Sequence, residues 1–266
     1  PAPIDASTLG RARGRLAIIG IGPGDPSWRT PEASTLIEAA EDIVGYRLYL
    51  DLLGHAIAGK RHHESAIGAE AERVRLALDL AAAGGSVALV SSGDPGIYGL
   101  AALVFELVDR EARRDWSAVE IIVAPGLSAM QAAAARVGAP LGHDFCAISL
   151  SDLLTPWQRI RERIAAVARA DLVIALYNPR SARRPGHLAE AARILLAHRP
   201  PETPCVIARN LGRAGEARQI LRLDELAGTA ADMLSLVLIG SSQTRVIAGE
   251  PPRIYTPRGY FDGEKR

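Results

Sequence analysis

The chain has 266 residues, 48% of them hydrophobic and 23% charged, and its 31 basic and 30 acidic side chains leave a net charge of +1. That length suits one large domain or two of about 100–150 residues each, and the composition excludes a disordered or fibrous protein. Balanced charge supplies no global field to draw the chain onto nucleic acid or an anionic membrane, so any basic patch is local.

Leu16-Ala17-Ile18-Ile19-Gly20-Ile21 is a short apolar run ending in glycines, which predicts a buried parallel strand and a tight loop. Thr30-Pro31-Glu32 then predicts a helix start, with Thr30 as cap and proline at the first helical position, and Ala33, Leu36, Ile37 and Ala40 follow at helical spacing. Ile43 to Tyr46 reads as a second strand. Ile67, Ala71, Val74, Leu78 and Ala81 mark a helix that Gly84-Gly85 stops. Ser86 to Ser91 and Val119 to Ala124 are further buried strands, each running into a glycine-rich loop and a helix.

The texture changes near Gly138-Ala139-Pro140-Leu141-Gly142. After it come a strand at Ala147 to Leu150 and a helix opened by Thr155-Pro156-Trp157-Gln158, which fits a capping box. Strands follow at Leu172 to Tyr177, Pro204 to Ala208 and Leu234 to Ile239, with a helix over about Gly186 to His198. This alternation predicts an α/β fold of two domains with mainly parallel or mixed sheets, in which ligands gather at the carboxyl ends of strands. The expected division is an N-terminal tail over 1–14, domains over 15–139 and 140–250, and a C-terminal tail over 251–266.

Gly20-Ile21-Gly22-Pro23-Gly24-Asp25 invites comparison with the dinucleotide fingerprint and departs from it informatively. Asp25 replaces the third glycine and would repel a phosphate. Pro23 lacks an N–H, and the helix cap comes five residues later, so no helix N-terminus is placed to hold a pyrophosphate. The loop suits a ligand without phosphate, or it is a tight turn in which Asp25 caps backbone donors. Ser91-Ser92-Gly93-Asp94-Pro95-Gly96-Ile97-Tyr98-Gly99 and Ala124-Pro125-Gly126-Leu127-Ser128-Ala129 end strands in the same manner, where glycine lets backbone approach a ligand closely. Three such loops predict one convergent site.

In the second half, Tyr177-Asn178-Pro179-Arg180-Ser181-Ala182-Arg183-Arg184, Arg209-Asn210-Leu211-Gly212-Arg213 and Gly240-Ser241-Ser242-Gln243-Thr244-Arg245 bring arginines to strand ends. Arginine grips carboxylates bidentately, so loops of this kind on a shared rim suit a substrate with several carboxylates; the alternative is solvated surface arginines. His62-His63-Glu64 is no metal site, because adjacent side chains point apart, and no protein-bound metal is expected. Cys146 and Cys205 are the only cysteines and read as free, buried thiols in a reducing compartment. With no apolar run of about 18 residues and no signal-peptide layout in 1–15, a soluble, cytoplasmic protein is expected.

The three glycine loops, in order and spacing over roughly residues 15–245, resemble the tetrapyrrole methylase family. Ala175 to Ser181, Arg209 to Arg213 and Gly240 to Arg245 are similar to its precorrin-3B carbon-17 methyltransferase branch; uroporphyrinogen methylases typically carry Tyr-Met-Gly where this chain has Tyr177-Asn178-Pro179. The resemblance implies two α/β domains with the active site in the interdomain cleft, a homodimer, and transfer of a methyl group from S-adenosyl-L-methionine to carbon 17 of precorrin-3B in cobalamin biosynthesis. Ring contraction to precorrin-4 goes with that transfer, and related anaerobic enzymes use cobalt-factor III. The product of the cofactor would be S-adenosyl-L-homocysteine. By motif matching, Pro23, Ser92, Gly93, Asp94, Ile97, Ser128, Ala129, Asn178, Asn210 and Leu211 would contact the cofactor. Asp25 is the candidate for proton handling or for orienting the macrocycle, and Arg180, Arg183, Arg213 and Arg245 are candidates for substrate carboxylates. The competing classes are a nicotinamide-dependent oxidoreductase, which Pro23 and Asp25 disfavour, and a non-catalytic tetrapyrrole carrier.

Overall fold

The computed structural model describes residues 13–260 apart from 67 and 182. The chain divides into two compact units between Ser128 and Ala129.

The first unit contains, in order, β1 (Arg15–Gly20), α1 (Pro31–Ala39), β2 (Asp42–Tyr46), α2 (Arg47–Leu53), β3 (Arg61–Ser65), α3 (Glu70–Ala82), β4 (Ser86–Ser91), α4 (Ala101–Glu111) and β5 (Glu120–Ala124). Its five strands are ordered β3-β2-β4-β1-β5 and every pairing is parallel. The strands read as continuous apolar runs because both faces are covered. Leu16 and Ile18 pack with Val74, Leu78, Val104, Leu107 and Trp116 on one face. Ala17 and Ile19 pack with Ile37, Leu50, Leu53 and Ile57 on the other. Each fully buried Leu or Ile contributes about 1.5–3 kcal/mol, so β1, buried from Leu16 to Gly20, anchors the sheet.

Local signals act as the sequence predicts at α1, where Thr30 Oγ1 accepts from Ala33 N at 3.1 Å. The predicted α3 begins at Glu70; Ile67 lies outside the described residues. Helix α2 and strand β3 are additions. In β3 the two histidines sit on opposite sides: His62 Nε2 is 2.8 Å from Ile57 O, and His63 Nε2 is 2.7 Å from Asp42 Oδ1. Asp42 also accepts from Arg61 Nε at 2.8 Å and Nη2 at 2.7 Å. Hydrogen bonds from Arg61, opposed by burial and assisted by His63, hold the Asp42 carboxyl below its ordinary value.

The second unit contains α5 (Ala129–Val137), β6 (Gly138–Ala139), β7 (Phe145–Ser149), α6 (Trp157–Arg169), β8 (Val173–Tyr177), α7 (His187–Leu196), β9 (Pro204–Arg209), β10 (Ala217–Arg222), β11 (Ser235–Ile239), β12 (Arg245–Ile247) and β13 (Arg253–Tyr255). Its main sheet is ordered β10-β9-β11-β8-β7 and is mixed. β7 and β8 are parallel, whereas β11 is antiparallel to both β8 and β9. Consequently β7, β8 and β9 point one way and β11 points back between two of them. Ile160 and Ile164 of α6 and Leu188 and Leu195 of α7 join Ile174, Leu176, Ile207 and Val237 in the core of this unit. Helix α5 packs against β11.

Three expectations need correction. No capping box opens α6: its N-cap is Pro156, without a side-chain cap bond, and Gln158 donates to Glu162 instead. The helix start is set by Trp157, which stacks on His187 at 3.8 Å and donates from Nε1 to Glu190 at 2.8 Å. The second unit begins at Ala129, before the texture change near 140, because α5 is tied to it by Arg136–Glu216 at 2.8 Å and by Met130 N donating to Tyr177 Oη at 3.3 Å. The expected C-terminal tail contains β13, which pairs with β12 and with β6; residues 261–266 lie outside the described residues, as do 1–12 of the expected N-terminal tail. No helix among the described residues is long and apolar enough to cross a membrane.

Candidate functional site

In the first unit the three glycine loops leave β1, β4 and β5, which are adjacent and parallel, so all three emerge on one rim. They touch through backbone. Gly22 N donates to Gly93 O at 3.2 Å and Gly93 N to Gly22 O at 2.8 Å, a short antiparallel bridge. A Cβ on Gly20 would lie 2.6 Å from Gly93 O, and one on Gly126 would lie 2.2 Å from the same oxygen. These two glycines therefore let loops approach one another, a role distinct from the close ligand approach that composition suggests.

Asp94 ties the assembly. Its Oδ1 accepts from Gly96 N at 2.8 Å and its Oδ2 from Gly126 N at 3.1 Å, so one carboxylate spans the loops after β4 and β5. Ile97 N bonds back to Asp94 O at 3.3 Å. Ser92 Oγ donates to Gly22 O at 3.4 Å, Pro23 and Ser128 are buried, and Ser91 Oγ is buried with no partner among the described residues. Asp25 is partly buried and its Oδ1 accepts from Ser27 N at 2.8 Å and Ser27 Oγ at 2.7 Å, capping the short helix Pro26–Trp28.

In the second unit β7, β8 and β9 end together. Asn178 and Asn210 follow β8 and β9, both in the left-handed region with φ of 52°, a conformation asparagine tolerates. Asn178 Nδ2 donates to Ser149 Oγ at 3.0 Å, and Asn210 N to Leu234 O at 3.2 Å. Leu211 is buried, and the loop carrying Arg213 is held by Glu216, which accepts from Gly212 N at 2.7 Å and Arg136 Nε at 2.8 Å. Burial would raise the Glu216 carboxyl, but those donors hold it below its ordinary value. Arg180 and Arg183 are exposed beyond β8, and Ala129 opens α5.

Arg245 does not join them. Its loop follows β11, whose register pairs Ser235 with Arg209 and Ile239 with Cys205, so Gly240 to Arg245 lies at the opposite edge of the sheet from Asn178 and Asn210. That loop is structural: Ser242 N and Oγ donate to Asp171 at 2.8 and 2.6 Å, and Arg245 Nη1 donates to Ser242 O at 3.0 Å. The expectation that all three arginine loops share a rim fails because β11 runs antiparallel.

Residues 15–227 match the family model described as Tetrapyrrole (Corrin/Porphyrin) Methylases. The chain belongs to the tetrapyrrole methylase family. It is 44% identical over 249 residues to a precorrin-3B C(17)-methyltransferase from Sinorhizobium sp, covering 93% of this chain and 97% of that protein. It is 46% identical over 245 residues to a probable cobalt-factor III C(17)-methyltransferase from Salmonella typhimurium, covering 92% and 99%. The solved structure of the methyltransferase CobJ superposes with a TM-score of 0.85 at 38% identity, covering 92% of this chain and all (100%) of that one. Two α/β units are thus the methylase architecture, and the glycine loops and the Asn178 and Asn210 turns lie inside the matched region.

Sequence reasoning missed several residues on these rims. Ser149 and Glu216 position the asparagine loops, yet nothing in their type or spacing marks them. Arg184 was grouped with Arg180 and Arg183 but not singled out; it is the buried member, because the chain turns back through a bridge between Ser181 and Arg184.

Proposed function

We propose that this methylase transfers a methyl group from S-adenosyl-L-methionine to carbon 17 of precorrin-3B in cobalamin biosynthesis, with ring contraction to precorrin-4. The single observation that carries the reading is the rim of three glycine loops joined at Gly22, Gly93 and Gly126, a polar cradle built without a phosphate-binding helix N-terminus. Identity of 44% across nearly the whole length of a precorrin-3B C(17)-methyltransferase supports the branch. The residues present fit such a cofactor: Ser91 Oγ is buried without a partner at the end of β4, where a polar ligand group would satisfy it.

The cofactor supplies an electrophilic methyl on a sulfonium, and the protein's task is positioning, which in well-oriented systems accounts for about 7–11 kcal/mol of a barrier. Pro23, Ser92, Gly93, Asp94, Ile97, Ser128, Ala129, Asn178, Asn210 and Leu211 are proposed as cofactor contacts. Asp25, oriented by its cap on Ser27, is proposed to handle the proton or orient the macrocycle. Arg180, Arg183 and Arg213 are proposed to meet substrate carboxylates. Homodimer assembly and a cytoplasmic location belong to the same proposal.

Asp94→Ala is expected to weaken S-adenosyl-L-homocysteine binding about tenfold in calorimetry, since losing both carboxylate bonds releases the loop after β5. Unchanged affinity would remove Asp94 from the cofactor site. Mass spectrometry of products from precorrin-3B and from cobalt-factor III, each with cofactor, tests the reaction. Methylation of precorrin-3B is expected; methylation of cobalt-factor III alone would favour the substrate of the Salmonella relative, and a methyl group on neither product sinks the reading. Binding of NAD(P) with none of S-adenosyl-L-homocysteine would point to the oxidoreductase class.

A further inference from the structure

In the second unit, residues 151–155 follow β7 and belong to no helix or strand. Leu153 and Leu154 at their tip are exposed, so packing does not hold the segment. Its polar contacts reach the cofactor rim. Ser151 N donates to Ser149 Oγ at 3.2 Å, and the same hydroxyl accepts from Asn178 Nδ2 at 3.0 Å. The path of the segment and the pose of the Asn178 carboxamide therefore share one acceptor.

Asp152, on this segment, lies between Arg184 in the loop after β8 and His187, which opens α7. Its Oδ1 is 3.8 Å from Arg184 Nε and its Oδ2 is 3.7 Å from His187 Nε2, both longer than a hydrogen bond. Arg184 Nε already donates to Ser181 Oγ at 3.1 Å, so that side is fixed. The histidine side is not. His187 Nδ1 lies 3.0 Å from Leu150 O, and a carbonyl only accepts, so Nδ1 carries the hydrogen. In the neutral ring Nε2 then turns a lone pair toward the carboxylate, and in the protonated ring it turns an N–H. A stack on Trp157, with ring centroids 3.8 Å apart and planes at 11°, holds the imidazole in this orientation. The other charged groups around the ring are matched to one another: Glu190 accepts from Trp157 Nε1 at 2.8 Å and pairs with Arg161 Nε at 2.9 Å and Arg193 Nη2 at 3.5 Å.

We propose that His187 and Asp152 are positioning residues that act on the cofactor site through a proton. Protonated His187 draws in the Asp152 carboxylate, which fixes residues 151–155 and, through Ser149, the Asn178 side chain. The link to the cofactor rests on the function proposed above, in which Asn178 is a cofactor contact; the proton-dependent contact rests on the geometry of His187 alone. The held state takes up the proton, so it is strongest at acid pH and is lost as pH rises through the titration of the imidazole.

The test uses the full chain and compares wild type with Asp152→Asn and Trp157→Phe between pH 5.5 and 8. Hydrogen exchange, expressed as protection factors over residues 151–155, reads the segment. Emission of Trp157, taken as the difference from W157F, reads His187, because a cationic imidazole stacked on an indole quenches it. Calorimetry with S-adenosyl-L-homocysteine reads the cofactor site. In wild type, protection is expected to fall about three- to fivefold from pH 5.5 to 8, the size expected of a partly exposed ion pair. Its midpoint is expected to coincide with the rise in Trp157 emission, and cofactor affinity to weaken in parallel. In D152N the carboxamide can donate to the Nε2 lone pair or, turned over, accept from its N–H, so the pH dependence of protection is expected to vanish. Wild-type protection that does not change with pH, or a pH dependence that survives in D152N, overturns the proposal. Steady S-adenosyl-L-homocysteine affinity beside changing protection overturns the link to Asn178. Were the wild type to bind no S-adenosyl-L-homocysteine at any pH, the methyltransferase reading would fall, and the exchange comparison would still decide the proton-dependent contact.

Discussion

Gly126→Ala is expected to lower the thermal midpoint by about 6–12 °C and to abolish tight cofactor binding. The added Cβ would sit 2.2 Å from Gly93 O and 2.8 Å from both the carbonyl carbon and oxygen of Gly20. All three are backbone atoms, and none can swing aside. Gly20 ends the interior strand β1, and Gly93 is pinned by its two bonds to Gly22. Overpacking of this kind costs about 1–3 kcal/mol, occasionally more, and backbone on both sides places this case at about 3 kcal/mol, hence the midpoint shift. Gly186→Ala is the matched control. No atom lies within 4 Å of a Cβ at that position, and the change is expected to stay within about 0.5 kcal/mol. If the midpoint of G126A matches that of the wild type, the apposition of the loops is not what the glycine is for.

Arg199→Met is expected to destabilise the second unit by about 3–5 kcal/mol, read as a lower urea midpoint at unchanged slope. Arg199 is 4% exposed and its guanidinium binds carbonyls from three segments. Nη1 donates to Gly240 O, just past β11, and Nη2 donates to Leu172 O at 2.5 Å and Val167 O at 3.4 Å, joining the end of α6 to the start of β8. Burial lowers its basicity, an effect that nearby Asp171 opposes. Removing the cation takes the donor from Gly240 O and Leu172 O, while Val167 O keeps its bond from Leu172 N at 3.3 Å, and Arg199→Lys should recover part of the loss. A loss under about 1 kcal/mol for R199M would show that water reaches these carbonyls. The contrast with Arg184 is chemical: both arginines are buried, but Arg199 has carbonyls on both terminal nitrogens, whereas Arg184 Nη1 has no partner among the described residues.

Much of the site was legible because parallel strands buried on both faces announce themselves as unbroken apolar runs, and their loops must open on one edge. β1, β4 and β5, with the loops at Gly20 to Asp25, Ser91 to Gly99 and Ala124 to Ala129, were readable on that basis, and their likeness to the tetrapyrrole methylases followed. The polar edge strands were not. β3, written Arg-His-His-Glu-Ser, and β10, written Ala-Arg-Gln-Ile-Leu-Arg, lack apolar alternation because edge strands face solvent.

What the sequence determined by itself is the buried strands, the chemistry of the loops and the family. Strand direction it left open, since a strand buried on both faces has the same composition whichever way it runs; only the pairing of β11 with β8 and β9 moved Arg245 to the far edge. The tertiary structure also decided what each residue type was for. Gly20 and Gly126 serve loop against loop, and of two adjacent arginines the fold exposes Arg183 and buries Arg184, because burial and partners belong to the packed chain and not to the residue.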